Sequence, residues 1–158
     1  MNTKIQWKPL IISLAISLGA GLLSTFLTPN IRESYVNLYK PPLSPPGWVF
    51  PVVWTLLYIL MGIAAYLVFI NFTGAEGREA LLYYGGQLLV NIGWPVLFFR
   101  FECYVTAFFW LILLWYLVYM TIKKFARISE TAATLLVPYL FWLTFAGYLN
   151  LATAIHYL

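Results

Sequence analysis

The 158 residues predict an all-α integral membrane protein, a bundle of five transmembrane helices forming one domain over 1–158. Three observations carry this. The chain is 63% apolar and only 9% charged, against roughly 45–50% and about 25% in a soluble domain. With nine Lys+Arg and five Asp+Glu and a mean hydropathy of +0.84, it can neither coat a water-soluble globule nor stay unfolded. The apolar residues also fall in five runs near the 20 or so residues that cross a hydrocarbon layer of roughly 30 Å. Every Asp, Glu, Lys and Arg lies outside those runs. Finally, stretches such as Leu111-Ile-Leu-Leu114 are continuous, whereas the strands of a membrane barrel alternate.

The spans are expected at about 10–27, 48–70, 81–99, 104–122 and 132–157. Lys4 and Lys8 precede the first, as in a signal peptide, but its apolar run exceeds the usual roughly 7–15 residues and four more spans follow. It is read as a retained helix. Ser13, Ser17 and Gly21 recur on it at four-residue steps, with Ala20 and Ser24 beside them. Small residues let helix backbones approach in lipid, and this strip fits contact inside one bundle or a homodimer seam. Gly62 and Ala65 in the second span and Gly85, Gly86 and Gly93 in the third fit the same two uses.

The segment 28–47 is long for a connection, and such loops tend to be functional or disordered. It carries Lys40-Pro-Pro-Leu-Ser-Pro-Pro-Gly-Trp48, and each proline fixes φ, so a stiff cover over the bundle is expected. The turn at Arg100–Cys103 is tight and makes the third and fourth spans antiparallel neighbours. Lys4, Lys8, Arg78, Lys123, Lys124 and Arg127 share one side, and Arg32, Lys40 and Arg100 share the other. The positive-inside rule then puts the amino end in the cytoplasm and the carboxyl end outside. The net charge of +4 reflects this topology, and no nucleic-acid partner is expected.

The chemistry-bearing residues are few. No span holds an Asp, Glu, Lys or Arg, the intramembrane charges on which ion-driven pumps rely. The single cysteine, Cys103, excludes a disulfide framework and a Cys-based zinc site, and the only histidine, His156, ends the last span at the interface. No conventional hydrolase, kinase or metalloenzyme motif occurs, and neither a metal nor a resident cofactor is called for. Aromatic surface and side-chain amide are what the chain concentrates: seven Trp, twelve Tyr and twelve Phe. Trp7, Tyr104, Tyr119 and Tyr157 fit an interfacial belt, but Trp54, Trp94 and Trp142 sit inside spans, where an indole N–H needs a partner. Helical spacing groups Trp54 with Tyr58, and Gln87 with Asn91 and Trp94, ahead of Pro95. It also groups Trp142, Phe145, Ala146, Leu149 and Asn150. Facing inward, these stripes make either an apolar, aromatic cavity with a few polar anchors, the usual composition of a small-molecule site, or a packed core whose amides bond between helices.

Lys40-Pro-Pro-Leu-Ser-Pro-Pro-Gly-Trp-Val-Phe-Pro-Val-Val-Trp-Thr-Leu-Leu-Tyr58, followed by Met61-Gly62, resembles the loop-to-second-helix signature of the translocator protein family, also called the tryptophan-rich sensory protein or peripheral benzodiazepine receptor family. Gly86-Gln-Leu-Leu-Val-Asn-Ile-Gly-Trp-Pro-Val-Leu-Phe-Phe99 and Pro138-Tyr-Leu-Phe-Trp-Leu-Thr-Phe-Ala-Gly-Tyr-Leu-Asn150 resemble its third and fifth helices, in the family's order. The resemblance implies a five-helix bundle, often a homodimer, in a membrane that for this chain is expected to be a bacterial cell membrane. It implies a pocket beneath the proline-rich loop for porphyrins, haem-like tetrapyrroles, sterols and drug-like isoquinolines. Carried over by position, the ligand-binding residues are Trp48, Trp54, Asn91, Trp94, Trp142, Phe145, Ala146, Leu149 and Asn150.

The leading expectation is a receptor or sensor that binds tetrapyrroles. One alternative is a light- and oxygen-dependent porphyrin-degrading catalyst using Trp54 and Trp142, which match the tryptophans tied to porphyrin breakdown in bacterial relatives. The other is a passive tetrapyrrole or sterol transporter. The chain departs from the family pattern at Leu43 and Ile92, where Trp is common, and at Pro51, one position early. Leu151 and Ile155 replace the Tyr and basic residue of the helix-five sterol stretch, although Leu117-Val-Tyr119-Met-Thr-Ile-Lys123 fits the loose sterol consensus elsewhere.

Overall fold

The computed structural model describes residues 4–72 and 74–158, whose regular elements are all helices, with no strand among the described residues. In chain order the helices are α1 (Trp7–Leu27), α2 (Ile31–Asn37), α3 (Val49–Ile70), α4 (Gly74–Pro95), α5 (Tyr104–Ala126) and α6 (Glu130–His156). Four of them, α1, α3, α5 and α6, are long and apolar enough to cross a membrane. The third expected span, 81–99, corresponds to α4, which is not among those four. It starts earlier than expected, with Glu76, Arg78 and Glu79 in its opening turns, and carries Gln87, Asn91 and five glycines, so its average hydropathy falls. It also ends earlier: Pro95 lacks the N–H of a regular helix, and the backbone widens into a π-helical turn over Val96–Arg100.

Local chemistry explains the other boundaries. Pro9 and Pro51 stand in first turns, where a missing N–H removes no helical bond. Ser129 caps α6, its hydroxyl accepting from the Ala132 N–H at 3.2 Å. Arg100 Nη1 donates to the Leu27 carbonyl at the end of α1 at 3.1 Å, satisfying an acceptor that the helix leaves open.

The expected loop 28–47 is only partly a loop, because residues 31–37 form α2. Glu33 in its first turn suits the positive end of the helix dipole, and the prolines begin after it ends. Leu43 takes φ +71° at the tip of the proline-rich run and is exposed.

Small residues bring α1 against α3. Ser13 Oγ donates to the Gly62 carbonyl at 2.7 Å, Ser17 and Ser24 are buried, and Gly21 lies against the Tyr58 ring. The strip on α1 is thus used inside the bundle. Gly93 lies against the Trp110 ring, whereas a side chain at Gly85 or Gly86 would meet nothing within 4 Å. Those two glycines do not serve packing between the helices of one chain. At the opposite end from the proline-rich segment, Lys124 pairs with Glu79 at 2.8 Å and Arg127 with Glu76 at 3.9 Å. These pairs hold the start of α4 to the end of α5.

Candidate functional site

The amides of α4 and α6 have separate uses. Asn91 is buried in the middle of the bundle. Its Oδ1 accepts from the Tyr58 hydroxyl at 2.8 Å, and its Nδ2 donates to the Tyr139 hydroxyl. Tyr139 in turn donates to Gln87 Oε1 at 2.8 Å. This chain ties α3, α4 and α6 together with donors and acceptors matched, as a lipid-surrounded core requires. Trp54 packs on its flank, its ring centroid 5.8 Å from Tyr58 and 6.1 Å from Tyr139. Asn91 and Trp54 therefore belong to the packed core and not to a cavity wall.

Asn150 lies elsewhere. Its Oδ1 accepts from Trp94 Nε1 at 3.0 Å and its Nδ2 donates to the Tyr104 carbonyl at 2.9 Å, so one amide joins α4, α5 and α6. Trp94, Ala146, Leu149 and Asn150 line one cavity, closed over by α2 and the proline-rich segment through Tyr35, Leu38, Tyr39, Lys40, Pro41 and Ser44. Phe50, Phe98, Phe99 and Thr153 complete its wall. The cavity measures about 40 Å³, room for little more than a water. Sites for drug-sized ligands run to roughly 300–1,000 Å³. Among the described residues, the space beneath the cover is therefore not the macrocycle-sized hollow that was expected.

Trp142 and Phe145 face a different space, an open groove of about 470 Å³ between α3 and α6, lined also by Val53, Leu56, Leu57, Leu60, Pro138 and Phe141. The Trp142 N–H is buried without an acceptor among the described residues. Trp48 stands exposed just before α3 and borders neither space. The nine positions named from sequence thus divide. Four line the covered cavity, two the lateral groove and two the packed core, and one is on the surface.

The cover is fastened mostly from α6 and from within itself. Tyr148 donates to the Pro42 carbonyl at 2.8 Å, and the Tyr39 N–H donates to the Tyr157 hydroxyl at 3.0 Å. The Tyr39 ring lies on the His156 imidazole, centroids 3.8 Å apart and 4° from parallel. Tyr35 donates to the Pro45 carbonyl at 2.5 Å and meets Phe50 edge-on; burial raises its phenol above the ordinary value. Sequence reasoning placed His156 at an interface and missed this role, as it missed Tyr35, Tyr39, Phe98 and Thr153 on the cavity wall. Two of these were within reach of spacing: Thr153 is three residues beyond Asn150 and Phe98 four beyond Trp94. Tyr35 and Tyr39 lie on a cover whose fold no helical period describes.

Comparison with known proteins gives one answer. A model of the TspO/MBR family matches residues 12–156. A "Tryptophan-rich protein TspO" of Chlorobaculum tepidum is 40% identical over 154 residues, 95% of each chain. A "Tryptophan-rich sensory protein" of Cereibacter sphaeroides is 37% identical over 147 residues, 92% of this chain and 89% of that one. A human "Translocator protein" is 37% identical over 147 residues, 91% of this chain and 87% of its own. With its apolar helices, the covered cavity between α4 and α6 and a match over nearly its whole length, the chain belongs to the TspO/MBR family of membrane proteins.

Proposed function

We propose that this protein is a five-span membrane receptor that binds porphyrins or related tetrapyrroles beneath the α2 and proline-rich cover, which must lift to admit them. The observation that carries the reading is the meeting of Trp94, Ala146, Leu149 and Asn150 under a cover fastened by a few side-chain contacts. Aromatic faces with a fixed amide suit a flat ring bearing polar edges. The closed volume is far too small for a macrocycle, so binding requires the cover to move. Movement of the cover breaks the contacts of Tyr148, His156 and Tyr157 and leaves the Asn91 core intact. The names of the relatives, "sensory" and "translocator", are both compatible with ligand capture as the first event. Porphyrin breakdown by Trp54 and Trp142 draws less support, because neither indole lines the covered cavity.

Titration with protoporphyrin IX should quench tryptophan emission to saturation. Truncating Trp94 to alanine should weaken binding about tenfold, at the upper end of the roughly 0.5–1.5 kcal/mol of one aromatic contact. Unchanged emission from a folded sample would remove the reading.

The topology belongs to the same proposal: α4 with its π turn is the fifth span, the amino end cytoplasmic and the cover outside. Glu76 and Glu79 pair with Arg127 and Lys124 at the expected cytoplasmic end, while Arg100 sits at the end that holds the cover. The one cysteine, Cys103, is exposed in the α4–α5 turn. A membrane-impermeant maleimide applied to intact cells should label it without permeabilisation. Labelling only after lysis would reverse the orientation.

A further inference from the structure

We propose that Trp115, Tyr119 and Lys123 form a binding site for an anionic phospholipid on the outside of the bundle, independent of the cavity beneath the cover. The three follow one another along α5 at four-residue steps, so they share one face of the helix, about 12 Å from first to last at roughly 1.5 Å per residue. The rings of Trp115 and Tyr119 lie 9° from parallel with centroids 5.6 Å apart, and Lys123 Nζ stands 5.6 Å from the centre of the Tyr119 ring. Trp115 is fixed from α6: its Nε1 donates to Thr144 Oγ1 at 2.9 Å, and Thr144 donates in turn to the Leu140 carbonyl. The result is a flat aromatic shelf with an ammonium at one end.

The shelf faces outward. Trp115 and Tyr119 are exposed on a helix long and apolar enough to cross a membrane, and Phe141, on the same side of α6 as Thr144, is exposed as well. Lys123 lies in the last turn of α5, at the end of the bundle away from the cover. The neighbouring cations there are taken, Lys124 by Glu79 and Arg127 by Glu76, whereas Lys123 has no carboxylate partner among the described residues. An ammonium with no counter-ion, steadied by an aromatic face at the end of a lipid-facing helix, is complementary to a molecule with an anionic head and an apolar tail. The loose sterol consensus through Leu117, Tyr119 and Lys123 describes no such surface. Leu117 is two residues from Tyr119 and so about 200° around the helix from it, and it is Trp115 that shares the face of Tyr119 and Lys123.

The test is native mass spectrometry of the full chain in nonionic detergent, titrated with phosphatidylglycerol or with phosphatidylcholine of the same acyl chains. The wild type should retain phosphatidylglycerol about fivefold better, the worth of one lysine at an anionic surface. Lys123→Met should bring that ratio close to one. Lys8→Met removes the same charge from the first turn of α1 and should leave the ratio at its wild-type value. Tyr119→Leu should lower the retention of both lipids, and excess inorganic phosphate should displace neither, because the shelf holds the chain as well as the head. A wild-type ratio near one overturns the proposal without recourse to any variant. Equal falls in Lys8→Met and Lys123→Met overturn it in favour of attraction to net charge alone. Full displacement by phosphate, or a Tyr119→Leu protein that retains lipid like the wild type, overturns the part given to the shelf. If the variants change only the proportion of dimer in the spectra, a second copy covers this face and the lipid site is overturned.

Discussion

Replacing Gly62 with valine is expected to destabilise the protein by about 3 kcal/mol, the upper end of the usual cost of overpacking. A Cβ at that position would stand 2.7 Å from Ser17 Oγ, 2.8 Å from Leu14 Cδ2 and 3.0 Å from the Leu14 Cα. The side-chain atoms can turn aside, but the Leu14 backbone can yield only if α1 moves off α3. That displacement also breaks the bond from Ser13 to the Gly62 carbonyl. In a chain of this size each kcal/mol moves the melting temperature by roughly 2–4 °C, so thermal unfolding in detergent should show a fall of about 6–12 °C. Gly86→Ala is the control: its added Cβ meets nothing within 4 Å, and a small gain in helix propensity is expected. If Gly62→Val melts with the wild type, the close approach of α1 and α3 is not as described.

Tyr139→Phe is expected to cost about 2 kcal/mol for the removal of one oxygen, since leaving a buried polar group unpaired costs roughly 1–3 kcal/mol. The hydroxyl donates to Gln87 and accepts from Asn91, so its loss leaves both amides short of a partner where no water reaches. Hydrogen bonds between membrane helices average only about 0.6 kcal/mol, with a maximum near 1.7, because helices separated in the bilayer also find partners. The value expected here is higher than for one such bond because two are lost together among buried residues. Asn91→Leu combined with Tyr139→Phe should cost less than the two separately, since the second change removes a group that the first has already left unpaired. Additive losses would show that the network does not act as a unit. Trp115→Phe, which removes the bond to Thr144 on the exposed side of the bundle, should change stability by well under 1 kcal/mol.

The helical class, the approximate places of the long helices and the family were legible in the sequence because each depends on local quantities. Continuous apolar runs specify helices in lipid, proline and serine mark their first turns, and the proline-rich and tryptophan-rich blocks read along the chain without knowledge of neighbours. Small residues on α1 also announced a close approach. The fate of the amides was not legible in the same way. Asn91 and Asn150 each sit on a stripe with tryptophan, and spacing alone treats them alike. Asn91 meets two tyrosine hydroxyls and becomes core, while Asn150 meets an indole under the cover and becomes cavity wall. The partner helix decides this, and periodicity carries no information about which residues the partner presents.

By itself, then, the sequence determined a lipid-embedded helical chain, its family and the residue types available for recognition, since composition and period act within one helix. Only the tertiary structure decided that Trp54 and Trp142 lie apart from Trp94, that residues 31–37 form a helix within the cover, and that the cavity is closed by Tyr39 stacking on His156. Those outcomes depend on the order and rotation in which separate helices meet. In lipid that is settled by close steric fit and by pairing of buried polar groups, both of them properties of pairs of surfaces.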